Sequence, residues 1–487
     1  MENTEKKTIV RNIGWLTISK VFVYLLSIVT ITLIPRYLGV EGYGQLNFAL
    51  SFVSLFAVFF DVGTGILIFR DVSRKKALLS KYFNNFFYFK IYLYILFFVV
   101  IVLITLLLPK LLIVKVLIVL LAINLIAQSI AGYLVVYLNS FELMKFSSIK
   151  EVLLKLLIVI FIILVVFLNL KIIGVALAYI LSSVIVLFYI IYVFKKMFKS
   201  KIKFKPVFKK GFLLSKLKLS YPFALTTIFG VIYFNFDKFM ISFMLNDYQV
   251  GLYSTGYTFY GFLIGIIALF STVFFPILSR NYKSSRFKGI LDKYSRIIIV
   301  LALPMVFGVI YLAKDIIRLI FGKDFVIGFI AFQVVIIFFL INAFNQIFNN
   351  ILTIHNLQKY LFKLFLIAAV VNVVLNFIAI PLFGIVGAAV TTVLSELIIF
   401  VGMYVKVSKN IVKFGFFRKL VIPFISSILM LFGIYLVKDV LKVVVINNSL
   451  NVLFYCLVGG LFYVSFIFMF RYFKVKEIFS LLKEVRK

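Results

Sequence analysis

Six ionisable side chains lie within or just after long apolar stretches of the 487-residue sequence. They are Lys20, Arg36, Asp61, Asp237, Lys238 and Glu396. An ionisable group at membrane depth costs at least a few kcal/mol, so it usually faces a partner or a water-filled cavity. These six side chains are therefore our candidates for handling a cargo or an ion.

Lys20 and Asp61 are predicted to lie at similar depth on neighbouring helices. Lys20 is roughly 10 Å from the start of its helix and Asp61 roughly 12 Å from the end of the next, at 1.5 Å per residue. Equal depth favours an ion pair. The pair is either structural, or Lys20 attracts an anionic head group that Asp61 releases. Lys90 and Lys155 lie nearer the helix ends and are expected to snorkel to the surface.

Asp237 and Lys238 are adjacent, so on a helix their side chains point about 100° apart and cannot both reach one spot. Only one of them can face an interface between helical bundles. Glu396 lies about halfway along its apolar stretch. It either couples movement to H⁺ or Na⁺, or is a protonated, hydrogen-bonded structural glutamate.

The amino-acid composition indicates that these residues lie in a membrane protein. The chain is 64% hydrophobic and 14% charged, against roughly 45–50% and 25% in soluble proteins. A soluble multidomain enzyme is therefore excluded. The net charge of +36 raises nucleic acid as a partner, but the cations share the chain with long apolar runs, so the bilayer is the better partner. One cysteine and one histidine predict no disulfide framework, metal cluster or cofactor.

Fourteen segments pass the length test of about 20 mostly apolar residues for a spanning helix. They are residues 13–34, 45–69, 85–108, 111–138, 149–169, 172–194, 220–245, 250–278, 294–313, 325–353, 361–380, 385–405, 419–437 and 450–470. The first ends at Pro35, lacks a cleavage site, and is expected to stay in the mature protein. The sequence thus predicts an all-α integral membrane protein with about 14 transmembrane helices.

The chain is predicted to contain two pseudo-symmetric six-helix bundles. Residues 143–146 match residues 357–360 at an offset of 214, and residues 43–46 loosely match residues 250–253 near 207. Six helices separate equivalent positions, so the repeats share one orientation, a plan typical of transporters. A duplicated scaffold without transport is the alternative.

Four parts of the chain follow from this repeat. They are an N-terminal bundle at 1–194, a basic cytoplasmic linker at 195–219, a C-terminal bundle at 220–405, and two extra helices with a tail at 406–487. Alternate loops carry about four times as many Lys and Arg as the others, and such loops usually face the cytoplasm. We therefore expect a multi-pass protein of the cell membrane with both termini in the cytoplasm.

Three motifs resemble those of a known transporter family. They are PRYLGVEGYG at 35–44, Asp61-Val62-Gly63 followed by Arg70-Asp71, and FDKFMI at 236–241. The chain resembles the polysaccharide-transport branch of the multidrug/oligosaccharidyl-lipid/polysaccharide exporter superfamily, which includes O-antigen-type flippases. The resemblance covers about residues 10–410.

The resemblance implies a V-shaped pair of helical bundles that alternate in access and flip polyprenyl- or dolichyl-linked sugars to the outer leaflet. The implied partners are membrane lipids, a lipid-linked oligosaccharide and H⁺ or Na⁺, with no nucleic acid. Cations such as Lys20, Lys238 and Arg36 suit a phosphate or pyrophosphate, and Asp61, Asp237 and Glu396 are the candidates for coupling. Lipid II flippases of the superfamily carry several cavity arginines, whereas this chain has no arginine in any helix centre.

Two other functions remain open. The same fold could export a cationic drug or metabolite, coupled to a cation. A membrane glycosyltransferase or ligase is disfavoured, because the acids of the predicted outer loops are scattered over several short loops. Those acids are Glu41, Asp247, Asp315, Asp324 and Asp439.

Overall fold

The structure, a computed structural model, describes residues 2–199, 209–413, 415–441 and 448–472. Within these ranges the regular structure is entirely helical, as predicted. Two short 3-10 helices, Lys76–Leu78 and Lys323–Gly328, accompany the α-helices.

The α-helices are numbered here in chain order. They are α1 (Glu2–Asp61), α2 (Thr64–Arg74), α3 (Leu79–Leu107), α4 (Leu112–Ser140), α5 (Met144–Phe167), α6 (Lys171–Phe198), α7 (Lys210–Met244), α8 (Asp247–Asn281), α9 (Phe287–Tyr311), α10 (Ala313–Ile320), α11 (Phe329–Ile354), α12 (Gln358–Asn410), α13 (Phe416–Leu441) and α14 (Asn448–Met469).

Ten helical segments of the described chain are long and apolar enough to cross a membrane. Two of them, residues 14–74 and 358–410, far exceed the roughly 20 residues that one crossing needs. Each contains two crossings. The predicted figure of about 14 crossings is roughly consistent with these segments, and the chain is a multi-pass membrane protein.

A glycine kink joins the two crossings in α1 and in α12. Gly39 has φ of 69° and Gly384 has φ of 59°, a left-handed conformation that a residue without Cβ adopts at little cost. Pro35 and Pro381 lie shortly before these glycines. Each proline removes a backbone hydrogen bond and bends the helix. The expectation that the first helix ends at Pro35 is corrected by a few residues: the helix runs past Pro35 to Gly39, where the backbone is not helical and a second helix follows.

The predicted second helix, residues 45–69, is also interrupted. The backbone leaves the helix at Val62 and Gly63, which have φ of 52° and 68°, and α2 begins at Thr64. Asp61 is thus the last residue of α1 rather than an interior residue of a helix.

The chain divides into two compact units, Met1–Gly251 and Leu252–Lys487. In the first unit α7 packs against α1 and α2. The predicted bundle boundaries stay predictions. Residues 200–208 of the predicted linker lie outside the described residues, as do residues 473–487 of the predicted C-terminal part.

Aromatic side chains form much of the core of each unit. In the first unit Phe83 stacks on Phe194, with ring centroids 5.1 Å apart, and contacts Tyr137 edge-on at 5.7 Å. In the second unit Tyr260 packs on Phe338 at 4.8 Å. Ring pairs of this kind stabilise helix contacts where lipid removes the hydrophobic driving force.

Candidate functional site

Asp61 caps the helix that follows it. Its carboxylate accepts the backbone N–H of Gly65 at 3.1 Å and the hydroxyl of Thr64 at 3.2 Å. These contacts satisfy donors that a helix start leaves unpaired, and a carboxylate suits that position. The break at residues 62–63 therefore fixes the Asp61 side chain at the start of α2.

Lys90 on α3 is the ion-pair partner of Asp61. Its Nζ donates to Asp61 Oδ1 at 2.8 Å, to the carbonyl of Phe60 at 2.8 Å and to the carbonyl of Asp61 at 2.9 Å. The lysine side chain is 2% exposed, whereas that of Asp61 is 52% exposed. A buried lysine needs an acceptor for each of its three ammonium donors. The break between α1 and α2 supplies all three.

Two expectations about lysines are corrected by this arrangement. Asp61 pairs with Lys90 and not with Lys20, because the break turns the carboxylate toward α3. Lys90 does not snorkel but is buried. Lys155, also expected to snorkel, donates to Thr30 on α1 at 2.8 Å. A carboxylate at membrane depth needs a cationic partner. In the sequence, that need was the signal that could have identified Lys90 as the partner of Asp61.

A second charged contact holds α2 against α7. Lys216 Nζ lies 2.9 Å from one carboxylate oxygen of Asp71, Arg70 Nε lies 2.9 Å from the other, and the Tyr82 hydroxyl also donates to Asp71. The Arg70-Asp71 motif therefore joins α2, α3 and α7 of the first unit.

A third contact lies at the opposite ends of α3 and α7. Lys110 Nζ donates to the Ser242 hydroxyl at 2.6 Å, the Ser242 carbonyl at 2.9 Å and Asp247 at 2.9 Å. The rings of Phe48 and Phe243 lie 4.8 and 5.2 Å from the ammonium. In the sequence Lys110 is recognisable only as a loop charge, because residue spacing does not show that its loop meets the α7–α8 connection.

Gly44 and Gly251 form a reciprocal helix crossing. A Cβ on Gly44 would lie 1.7 Å from the Asp247 carbonyl oxygen, and one on Gly251 would lie 2.0 Å from that of Val40. Each glycine thus faces the residue four positions before the other. The two glycines are equivalent in the 207-residue repeat offset inferred from the sequence. Only glycine lets two helix backbones approach this closely.

Replacing Gly44 by alanine is expected to lower the thermal unfolding midpoint of the purified protein, because the new methyl group must push α1 and the first turn of α8 apart. Overpacking of this kind costs about 1–3 kcal/mol. Gly132→Ala is the matched control, since a Cβ there meets nothing within 4 Å. Equal midpoints for the two variants in a size-exclusion thermal assay would show that the crossing carries no strain.

Glu396 lies in a buried amide network of the second unit. It is 1% exposed, and its Oε1 accepts the side-chain amides of Asn342 at 2.7 Å and Asn345 at 2.8 Å. The Tyr260 hydroxyl donates to Asn342 Oδ1 at 3.1 Å. Amide donors serve a carboxylate and a neutral carboxyl group alike, so the network tolerates both states and is compatible with proton uptake.

The remaining candidates differ in burial. Asp237 is 1% exposed, while Lys238 and Lys20 are half-buried and Arg36 is exposed. The different burial of Asp237 and Lys238 agrees with their expected divergence on one helix. The described residues contain no group of three or more His, Cys, Asp or Glu placed to hold a metal ion.

Comparisons with known proteins agree on one family. Residues 9–282, more than half of the chain, match the model of a family described as polysaccharide biosynthesis protein. A curated relative from Haloferax volcanii, named probable low-salt glycan biosynthesis flippase Agl15, is 27% identical over 198 residues. That match covers 39% of this chain and 41% of the relative, so the chain spans about two fifths of the curated relative's length.

Two solved structures have a similar fold. The lipid II flippase MurJ in an inward closed conformation superposes with a TM-score of 0.77 at 20% identity, over 94% of this chain and 98% of that one. An inward-facing multidrug resistance MATE family transporter of the MOP superfamily gives 0.62 at 15% identity, over 79% and 94%. At such identities the likeness establishes the fold alone.

Proposed function

Because the chain belongs to the polysaccharide biosynthesis protein family, we propose that it is a flippase for a lipid-linked oligosaccharide. It moves a glycan on a polyprenyl or dolichyl phosphate or pyrophosphate from the inner to the outer leaflet by alternating access. The product serves the synthesis of a surface polysaccharide or glycoconjugate. The protein is a transporter rather than an enzyme.

The family match over residues 9–282 is the observation that carries this proposal. The name of the Haloferax relative supports it, and so does the fold shared with a lipid II flippase. The protein acts in the cell membrane with both termini in the cytoplasm, which the distribution of loop cations supports.

The six candidate residues take two kinds of role in this proposal. Lys20, Lys238 and Arg36 attract the phosphate or pyrophosphate of the cargo, since ammonium and guanidinium groups make strong charge-assisted bonds to phosphate. Asp61, Asp237 and Glu396 couple the movement to H⁺ or Na⁺. Protonation of Asp61 would weaken its bond to Lys90 and so change the contact between α1 and α3.

Replacing Lys20 or Lys238 by alanine is expected to reduce flipping about tenfold or more without lowering the amount of protein in the membrane. A lost charge-assisted bond is worth roughly 1.5–3 kcal/mol, and 1.4 kcal/mol is a factor of ten. Flux is measured in vesicles containing the purified variant. Lys75→Ala, at an exposed site, is the control. Wild-type flux in both test variants would assign these lysines to structure.

Deleting the gene in its host tests the function directly. The proposal predicts loss of a surface glycan and accumulation of its lipid-linked precursor on the cytoplasmic side of the membrane. Restoration by the intact gene but not by a truncated one is the control. A mutant with a normal surface glycan and no accumulated precursor would contradict the proposal.

A cation-coupled exporter of drugs or metabolites is the second candidate, favoured by the fold shared with the MATE transporter. Its site would need carboxylates facing a cationic cargo. Increased drug sensitivity of the deletion strain, with normal surface glycans, is the result that distinguishes it from the flippase.

A further inference from the structure

A cavity of about 710 Å³ in the first unit takes no part in the roles assigned above. Its walls come from the segment after the α1 kink, the α3–α4 connection and the α7–α8 connection. These connections lie at the helix ends that the loop charges predict to face outward. The volume falls within the roughly 300–1,000 Å³ typical of small-molecule sites.

The floor of the cavity is a set of polar groups that bond to one another. Lys110 donates to Ser242 and Asp247, and its side chain and that of Asp247 are each 11% exposed. All three ammonium donors of Lys110 are used in these contacts. They hold the α3–α4 and α7–α8 connections together and so give the cavity a fixed wall.

The rim of the cavity, by contrast, carries unused polar groups. Among the described residues, the Glu41 carboxylate, the Asn246 side-chain N–H groups and the Tyr248 hydroxyl have no hydrogen-bond partner in the protein. Lys115 uses one ammonium donor, on the Leu106 carbonyl at 2.9 Å. Donors, acceptors and a partly exposed aromatic ring therefore surround one volume.

The charges of the cavity sum to zero, since Lys110 and Lys115 face Glu41 and Asp247. A site for a phosphate would be net positive, and a site for an organic cation net negative. The remaining wall is largely apolar, from residues 108, 109, 111 and 245. A neutral molecule fits, provided that it offers many hydroxyl groups, each both donor and acceptor, beside apolar C–H faces.

We propose that this cavity binds the neutral saccharide part of the cargo on the outer side of the membrane. The inference rests on the proposed flippase function and names a place where the delivered glycan is held before release. Tyr248 supplies a ring against a sugar face, Glu41 accepts hydroxyl hydrogens, and Asn246 and Lys115 donate to hydroxyl oxygens.

Direct binding to the purified full-length protein tests the site. The protein is placed in phosphatidylcholine/phosphatidylglycerol nanodiscs, because maltoside detergents would themselves occupy a sugar site. Maltotriose, cellotriose and mannotriose are the probes, with inorganic pyrophosphate as the charged comparison, and calorimetric titration is the readout. Tyr248→Ala and Glu41→Gln are the test variants. Tyr92→Ala, at an exposed tyrosine on α3, is the matched control.

We expect at least one trisaccharide to bind, and its affinity to fall about tenfold or more in each test variant but not in Tyr92→Ala. A hydrogen bond to a charged group is worth roughly 1.5–3 kcal/mol, which sets that scale for Glu41→Gln. Loss of the apolar contact made by the Tyr248 ring is expected to cost roughly as much. No binding by any of the trisaccharides, or binding unchanged in both test variants, would overturn the site. If the protein binds no trisaccharide, or binds it equally well in both test variants, but still flips lipid-linked glycan, the site is wrong and the proposed function stands. A purified protein that binds a trisaccharide but flips no lipid-linked glycan would instead remove the function and leave the site.

Discussion

Asp61→Asn is expected to lower the stability of the protein by about 3 kcal/mol, more than Lys90→Met lowers it. The asparagine keeps an oxygen for the cap of α2, so the variant removes only the charge and leaves Lys90 as an uncompensated buried cation. Breaking a buried pair from one side costs about 3–5 kcal/mol, and the half-exposed Asp61 sets the lower end of that range.

Lys90→Met removes the buried charge itself. Asp61 then keeps its contacts to Thr64 and Gly65 and its partial exposure, so the expected loss is about 1 kcal/mol. The double variant should resemble Lys90→Met. Thermal unfolding of the purified variants measures the order of their stabilities, with Lys75→Met as the control. Lys90→Met less stable than Asp61→Asn would contradict the assigned partnership.

Glu396→Gln is expected to reduce gradient-driven flux at least about tenfold while leaving the fold intact. Glutamine keeps the oxygen that accepts the amides of Asn342 and Asn345, but it cannot take up or release a proton. Measurement of flux with and without an imposed H⁺ or Na⁺ gradient reports the coupling role. Glu151→Gln, at a side chain that is 55% exposed, is the control.

Glu396→Leu separates the coupling role from a structural one. It leaves the amide donor of Asn342 without its acceptor in a buried region, at about 1–3 kcal/mol. The amide of Asn345 keeps only its longer bond of 3.4 Å to the backbone carbonyl of residue 396. Leucine should therefore lower the thermal midpoint whatever the function. Wild-type flux in Glu396→Gln, together with a destabilised Glu396→Leu, would mean that the glutamate is structural.

The helical membrane fold could be predicted because apolar length alone identifies a membrane-spanning helix. The resemblance to the polysaccharide-transport branch, drawn from motifs such as residues 35–44, is confirmed by the family match and by the solved structures with the same fold. Both inferences rest on properties that a linear sequence contains, which are hydropathy and local motifs.

The structure of the sites could not be predicted in the same way. The break at Val62 and Gly63 lies inside an apolar run, where hydropathy gives no sign of two left-handed residues. Once the break is missed, the depth of Asp61 is measured along a helix that has already ended. Lys20 then becomes its expected partner, and Lys90 is assigned to the surface.

Contacts between distant segments could not be inferred from residue spacing either. Glu41 and Asp247 are 206 positions apart, and only folding places both on the same cavity. The acids of the outer loops look scattered along the sequence, although two of them line one cavity. The crossing of Gly44 and Gly251 was visible only as a loose repeat.

Movement of a lipid-linked glycan across a bilayer is the function that we propose for this chain. Its most direct test uses proteoliposomes that contain the purified protein and a fluorescent lipid-linked oligosaccharide, with a membrane-impermeant glycosidase outside. We predict that glycan first protected in the inner leaflet becomes accessible far faster than in empty vesicles. Rates equal to those of empty vesicles, across several glycans, would contradict the claim.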